Sequence, residues 1–211
     1  MVNQNLHERL YRGPELCQRL AQFPITICGA GALGANLAES LVRCGARNLS
    51  VIDRDRVEEH NLSTQPYAKA DIGLPKVKAL ANWLYRAVAV QIQAQYLELD
   101  SHNASRTLRG GHLVVDCFDN SPSRQILFEA GRNKACLHLG MADGYGEAVW
   151  NEVYRVPLDR GIDGCDYPLA RSLVQLTSLL GCEAIFHYLK TGEKLNRSVT
   201  VGDLSIRPYE S

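Results

Sequence analysis

Two periods of apolar side chains divide this chain into strands and helices. Ile25-Thr26-Ile27-Cys28 is a compact β-branched run, the pattern of a buried strand. It breaks at Gly29-Ala30-Gly31-Ala32-Leu33-Gly34 and passes into a helix with Leu33, Leu37 and Leu41 on one face and Gly45 as its stop. Residues 48–53 read as a second apolar strand with an acidic end. A helix follows Pro75, and Val90 to Leu97 alternates like a strand. His112 to Asp116 is another buried strand. Ser121-Pro122 then predicts a helix with Ser121 as its cap and proline in its first turn. Ala135 to Leu139 and Ala148 to Val156 read as two strands separated by the turn Gly144-Tyr145-Gly146. Leu169, Leu173, Leu176 and Leu180 form the stripe of a long helix ending near Thr191-Gly192, and Ser198 to Leu204 reads as a closing strand. Alternating strands and helices predict an α/β fold, Rossmann-like, with a largely parallel sheet flanked by helices. The expected organisation is one domain over 1–211: a helical segment over 1–22, a nucleotide-binding core over 23–160, and a loop, helix and strand over 161–211.

Composition narrows the function classes. Hydrophobic residues make up 45% of 211 residues and charged residues 22%, the balance of a folded globular chain. Lys plus Arg is 23 and Asp plus Glu is 23, so no basic excess supports a broad nucleic-acid surface. No apolar run approaches the ~18 residues of a membrane span, and the first residues lack a basic-then-apolar signal pattern. The expectation is a soluble, cytoplasmic protein. Seven cysteines at 17, 28, 44, 117, 136, 165 and 182 form no Cys-x-x-Cys pair, so neither a disulfide framework nor a thiolate zinc site is expected. Cys28, Cys117 and Cys136 lie in apolar runs and read as buried hydrophobes. Cys165 lies in the polar, turn-like Gly164-Cys165-Asp166-Tyr167-Pro168.

The glycine turn carries the first chemical signal. Gly29, Gly31 and Gly34, between a strand and a helix, let a phosphate approach the backbone and the N–H groups of the helix start. Asp53, 19 residues after Gly34 and at the end of the next strand, is placed to accept ribose hydroxyls. That much says "nucleotide" and leaves a ligand-free tight turn as the alternative.

Further motifs follow in order. Asp53-Arg54-Asp55-Arg56-Val57-Glu58-Glu59-His60-Asn61-Leu62-Ser63-Thr64-Gln65, then Asp71-Ile72-Gly73-Leu74-Pro75-Lys76, then Asp116-Cys117-Phe118-Asp119-Asn120-Ser121-Pro122-Ser123-Arg124 resemble the signatures of the ubiquitin-activating-enzyme superfamily of ThiF/MoeB type. Gly181 to Ile185 through Thr191-Gly192-Glu193 is similar to the family's closing helix, and Leu6 to Leu16 loosely resembles its N-terminal segment. The resemblance implies ATP-dependent adenylation of the C-terminal carboxylate of a small β-grasp protein, ubiquitin-like or a sulfur carrier. A carboxylate attacking the α-phosphate is anion meeting anion, so such a site needs positive charge and a metal. By resemblance Lys76 grips the phosphates, Asp119 holds Mg²⁺, Asp53 takes the ribose, Asp55 lies near nucleotide and metal, and Asn61 contacts the phosphates. Taken singly, Lys76 reads equally as a solvated lysine, Asp119-Asn120 as a plain turn, and Asp55 and Arg56 as surface charges.

One position departs from the family pattern. Thr64 stands where the family carries an arginine, and threonine supplies no fixed positive charge. The resemblance offers Arg12 as an arginine donated by the partner in a homodimer, with Lys69, Arg54 or Arg56 as other sources of charge. It also places a reactive cysteine of sulfur-transferring relatives roughly at Cys165, against the alternative of an incidental loop cysteine. His60 is a weaker candidate, and His187 reads as a packed structural histidine. Two other functions stay open: a non-catalytic partner subunit, which Thr64 suggests, and an NAD-dependent oxidoreductase, which would leave Asn61, Lys76 and Asp119 without roles.

Overall fold

A computed structural model describes residues 4–158 and 169–210. Two helices open it, α1 (Leu6–Arg12) and α2 (Pro14–Gln22), followed by β1 (Ile25–Cys28), α3 (Ala32–Cys44) and β2 (Leu49–Asp53). Next come α4 (Lys76–Val88), β3 (Gln93–Tyr96), the single turn α5 (Ala104–Thr107), β4 (Leu113–Asp116), α6 (Ser121–Ala130), β5 (Ala135–Ala142) and β6 (Tyr145–Trp150). The long α7 (Arg171–Thr191) leads to β7 (Arg197–Thr200) and β8 (Ser205–Pro208). Among the described residues no helix is long and apolar enough to cross a membrane.

One sheet runs through the molecule in the order β3-β2-β1-β4-β5-β6-β7-β8. The first five strands are parallel neighbours and the last three pair antiparallel. Strand alternation builds two cores. Ile25, Ile27, Leu49, Val51, Leu113 and Val115 face α3, α4 and α7, while Cys28, Ile52 and Val114 face Leu108 and Leu127 on the other side. The chain after β1 crosses to β2 on one side and that after β3 crosses to β4 on the other. The strand order therefore reverses between β1 and β4, where a doubly wound sheet opens a crevice at the carboxyl ends of its strands.

Three local features differ from the expectation. The hairpin joining β5 and β6 turns at Asp143-Gly144, both at positive φ (49° and 81°), so β6 begins at Tyr145 rather than at Ala148. The closing segment is two strands, not one: the chain turns through Leu204 (φ 53°) and returns as β8. The cap of α6 is Asn120, whose Oδ1 accepts the Ser123 N–H at 2.9 Å, and Ser121 and Pro122 are the first helical residues.

Candidate functional site

The glycine turn is closed against neighbouring backbone at Gly29 and Gly34 and open at Gly31. Gly29 sits at φ 101°, and a Cβ there would lie 2.9 Å from the Cys117 carbonyl oxygen. At Gly34 a Cβ would lie 1.9 Å from the Gly29 carbonyl, so the first turn of α3 closes on the strand end only without a side chain. Gly31, the N-cap of α3, has nothing within 4 Å of an ideal Cβ and lines the crevice. No acidic residue occupies the first turn of α3, which leaves its N–H groups and dipole for an external anion.

Asp53 braces this turn. Its two carboxylate oxygens accept the N–H groups of Ala30 and Asp55, each at 2.6 Å. The Tyr67 hydroxyl donates to the Ala30 carbonyl at 2.6 Å, so both the N–H and the carbonyl of Ala30 are held. Burial pushes the Asp53 carboxyl above its usual range, and the two backbone N–H donors and the charge of Lys76 oppose that shift. Asp53 still lines the crevice with lone pairs to spare, so a ribose hydroxyl remains within its capacity.

Lys76 opens α4 from the opposite wall. Its Nζ lies 3.1 Å from Asp55 Oδ2, and its own N–H donates to the Asp55 carbonyl at 2.9 Å. The lysine side chain is 11% exposed against 54% for Asp55, so the stem is packed while the carboxylate faces water. Arg54 also lines the crevice and is ion-paired with Glu98. Leu97, Leu99 and Phe118 give one wall an apolar surface suited to a flat base.

Asp119 enters from the loop after β4, and its position follows from the motif around it. Asp116 and Arg124, the first and last residues of that motif, form a buried ion pair at 3.5 Å. Arg124 also donates to the Tyr154 hydroxyl at 2.9 Å and the Leu139 carbonyl at 2.7 Å. His138 completes the cluster, with Nδ1 2.8 Å from Asp116 Oδ2, Nε2 2.7 Å from Asn151 Oδ1, and its ring stacked 3.7 Å from Tyr154. This cluster anchors both ends of the segment that carries Asp119 and Asn120. In turn, Asn120 Nδ2 donates to Asp119 Oδ1 at 3.2 Å. Neither His138 nor Tyr154 carries a motif, and their role is visible only once β5 and the segment after β6 meet α6.

The crevice therefore brings together Gly29, Gly31, Asp53, Asp55, Lys76 and Asp119 from four segments of the chain. Gly34 lies behind it. Asn61 and Arg12 are not among its walls. Asn61 Oδ1 accepts the Glu58 N–H at 2.9 Å and closes the short 3-10 helix Glu59–Ser63. Arg12 is paired with Glu8 and Glu183, and its guanidinium lies 3.7 Å over the Phe186 ring. Thr64 is buried, with its carbonyl accepting from Asn36 Nδ2 at 2.8 Å. Arg56 is turned to the Gly73 carbonyl at 2.7 Å. His60 lies 3.5 Å from Glu58 on the surface, and His187 is not a core residue: its Nε2 faces Glu193 at 3.4 Å. Cys165 lies outside the described residues.

The ThiF family model matches residues 3–158, and the chain belongs to that family. A sulfur carrier protein adenylyltransferase of Thermus thermophilus is 37% identical over 120 residues, covering 56% of this chain and 44% of the relative. A sulfur carrier protein ThiS adenylyltransferase of Bacillus subtilis is 33% identical over 142 residues, covering 65% and 40%. The chain thus spans less than half the length of these relatives. Among solved structures, E. coli MccB with ATP superposes at a TM-score of 0.79 with 14% identity, covering 99% of this chain and 72% of MccB. The E. coli tRNA N6-threonylcarbamoyladenosine dehydratase TcdA gives 0.76 at 16% identity, covering 90% and 95%. These two share the E1-like adenylation fold.

Proposed function

We propose that this chain adenylates the C-terminal carboxylate of a small β-grasp protein, ubiquitin-like or a sulfur carrier, at the expense of ATP and in the cytoplasm. The observation that carries the reading is the convergence of Lys76 and Asp119 on the glycine crevice, where a dinucleotide fold needs neither. In the reaction a carboxylate oxygen attacks the α-phosphorus, the bond to the β-phosphate oxygen breaks, and pyrophosphate leaves. The open face of Gly31 and the N–H groups of α3 receive phosphate oxygens, Lys76 supplies the positive charge, and Asp53 orients the ribose.

Mg²⁺ fits the same residues. This ion is commonly held by one or two carboxylates together with substrate phosphates, not by a full protein cage. Asp119 fits that donor set, since its carboxylate lines the crevice and keeps acceptor capacity beyond its contact with Asn120. When bound, the ion neutralises phosphate charge.

Calorimetry with ATP and Mg²⁺, and separately with NAD, tests the nucleotide. ATP is expected to bind and NAD not, whereas tighter binding of NAD would overturn the reading. ATP binding without ATP–pyrophosphate exchange in the presence of the protein substrate would instead identify a non-catalytic partner subunit, the reading that Thr64 favours.

The proposal extends to a two-fold homodimer in which Arg12 of each copy supplies the charge missing at Thr64. Arg12 must then exchange Glu183 for the second copy's phosphates. Mixing Arg12→Ala with Lys76→Ala protomers is expected to restore part of the exchange activity, because one site of each heterodimer keeps both cations. A monomer by light scattering, or no restoration, removes Arg12 from the site.

A further inference from the structure

A second cavity, of about 250 Å³, lies between α1, α2 and the end of α3. It is remote from the nucleotide crevice. Gly31 precedes α3 and Gly45 follows it, and thirteen helical residues at ~1.5 Å each hold the two about 20 Å apart. Arg9 enters the cavity from α1, Gln18 from α2, and Arg47 from just beyond α3. Asn5, at the start of α1, completes the polar lining, and among the described residues no Asp or Glu joins it. The rest of the wall is small and neutral, formed by Cys17, Ala21 and Gly45.

The polar groups of this lining have donors to spare. Asn5 is the N-cap of α1, where an asparagine oxygen usually accepts a helix N–H, yet its side chain makes no such bond. Its amide lies instead against Gly45, where a Cβ would meet Asn5 Nδ2 at 2.5 Å, so only a glycine there leaves room for that amide. Arg47 Nη1 donates to the Val42 and Ala46 carbonyls at 3.1 and 2.8 Å. Those bonds fix the guanidinium at the rim and leave Nε and Nη2 to donate. Among the described residues Arg9 and Gln18 make no side-chain hydrogen bond, and neither arginine has a carboxylate within 4.0 Å. Glu8, whose charge reaches Cys17, is spent on Arg12 at 2.6 Å. Burial pulls the Arg47 guanidinium below its ordinary range, as expected of a cation without a counter-charge. Burial pushes the Cys17 thiol up, so the wall beside Arg9 carries no thiolate.

We propose that this cavity binds a small doubly charged oxyanion, inorganic phosphate or a small phosphomonoester. Two guanidinium groups match the two charges and present forked donors to the phosphate oxygens, and the Asn5 and Gln18 amides add neutral donors. The volume sets the size of the ligand. It falls below the ~300 Å³ at which pockets begin to take drug-sized molecules, so it suits phosphate with at most a short organic group. An anion seated here neutralises both arginines and ties α1 to the end of α3. It should therefore raise the thermal midpoint by binding the folded chain alone.

Calorimetry with inorganic phosphate and with glycerol 3-phosphate, at an ionic strength held constant with chloride, tests the proposal. Binding above the chloride control is expected, and Arg9→Gln and Arg47→Gln should each weaken it about tenfold or more, the loss of one charged hydrogen-bonding partner. Phosphate also has a place in the nucleotide crevice, so Lys76→Ala is the control and should keep the arginine-dependent binding. Either ligand behaving in this way supports the site, and the tighter of the two identifies its source. No binding above chloride, binding unchanged in Arg9→Gln, or binding lost in Lys76→Ala alone would each overturn the proposal. If Arg47→Gln fails to fold, because Arg47 holds the last carbonyls of α3, Arg9→Gln decides. None of these readouts depends on adenylation.

Discussion

Lys76→Ala is expected to slow ATP–pyrophosphate exchange by about two to three orders of magnitude, the usual loss when one preorganised charge or donor is removed from a transition state. The site gives this residue little redundancy. Arg54 lines the crevice but is ion-paired with Glu98, Arg56 is turned to Gly73, and the family arginine is replaced by Thr64. The fold should tolerate the change. The Lys76–Asp55 pair ends on a carboxylate that is 54% exposed, and such pairs contribute ~1 kcal/mol or less. The thermal midpoint should therefore barely move while the chemistry collapses, and calorimetry should show ATP affinity reduced less than turnover. Near-normal exchange in Lys76→Ala would return this lysine to an ordinary helix-start residue and remove the main support for adenylation.

The sequence carried the nucleotide half of this molecule better than its closing half, for physical reasons. β1, the glycine turn, α3 and β2 are local: each is a continuous run whose period or glycine spacing reports its own structure. The β5–β6 hairpin was equally local and carried its signal in Asp143-Gly144, the dipeptide that accepts positive φ at both turn positions, yet the overlapping Gly144-Tyr145-Gly146 drew the turn one residue late and the start of β6 three residues late. Leu204 gives no such warning, since a leucine at positive φ is held by the pairing of β7 with β8 and not by its own preference. In the site, Gly31, Asp53, Lys76 and Asp119 were legible because motif and crevice coincide. The motif alone gave no sign that Asn61 spends its oxygen on the Glu58 N–H, or that Asp53 braces Ala30. Least legible of all was the cluster beneath Asp119, whose members come from β4, α6, β5 and the segment after β6.

That cluster gives the largest expected change in stability. Asp116 is fully buried, and Arg124 is 7% exposed. Asp116 accepts from the Phe118 N–H at 3.0 Å and faces both His138 Nδ1 and Arg124. Asp116→Ala removes the counter-charge and leaves a guanidinium in the core with only the Tyr154 hydroxyl and the Leu139 carbonyl. Stranding one partner of a buried pair costs about 3–5 kcal/mol. Urea unfolding should show a loss of that order, against an ordinary surface change of ~0.5 kcal/mol. Acid should act on the same group. Burial pushes the Asp116 carboxyl up, but the charge of Arg124, then the hydrogen bond and charge of His138, outweigh it and hold the carboxyl below its usual range. A carboxyl depressed in the folded state contributes stability that is present above its unfolded pKa and is lost as the pH falls through the folded value. The wild-type chain should therefore weaken at the acid end of the carboxylate range, and Asp116→Ala should lack that part of the acid dependence. Because the cluster anchors the segment carrying Asp119, the same variant should also lose pyrophosphate exchange under conditions where it remains folded. An Asp116→Ala chain as stable as the wild type would mean that Arg124 finds a second counter-charge, for which Glu147, the carboxylate whose titration Arg124 also influences, is the first to replace.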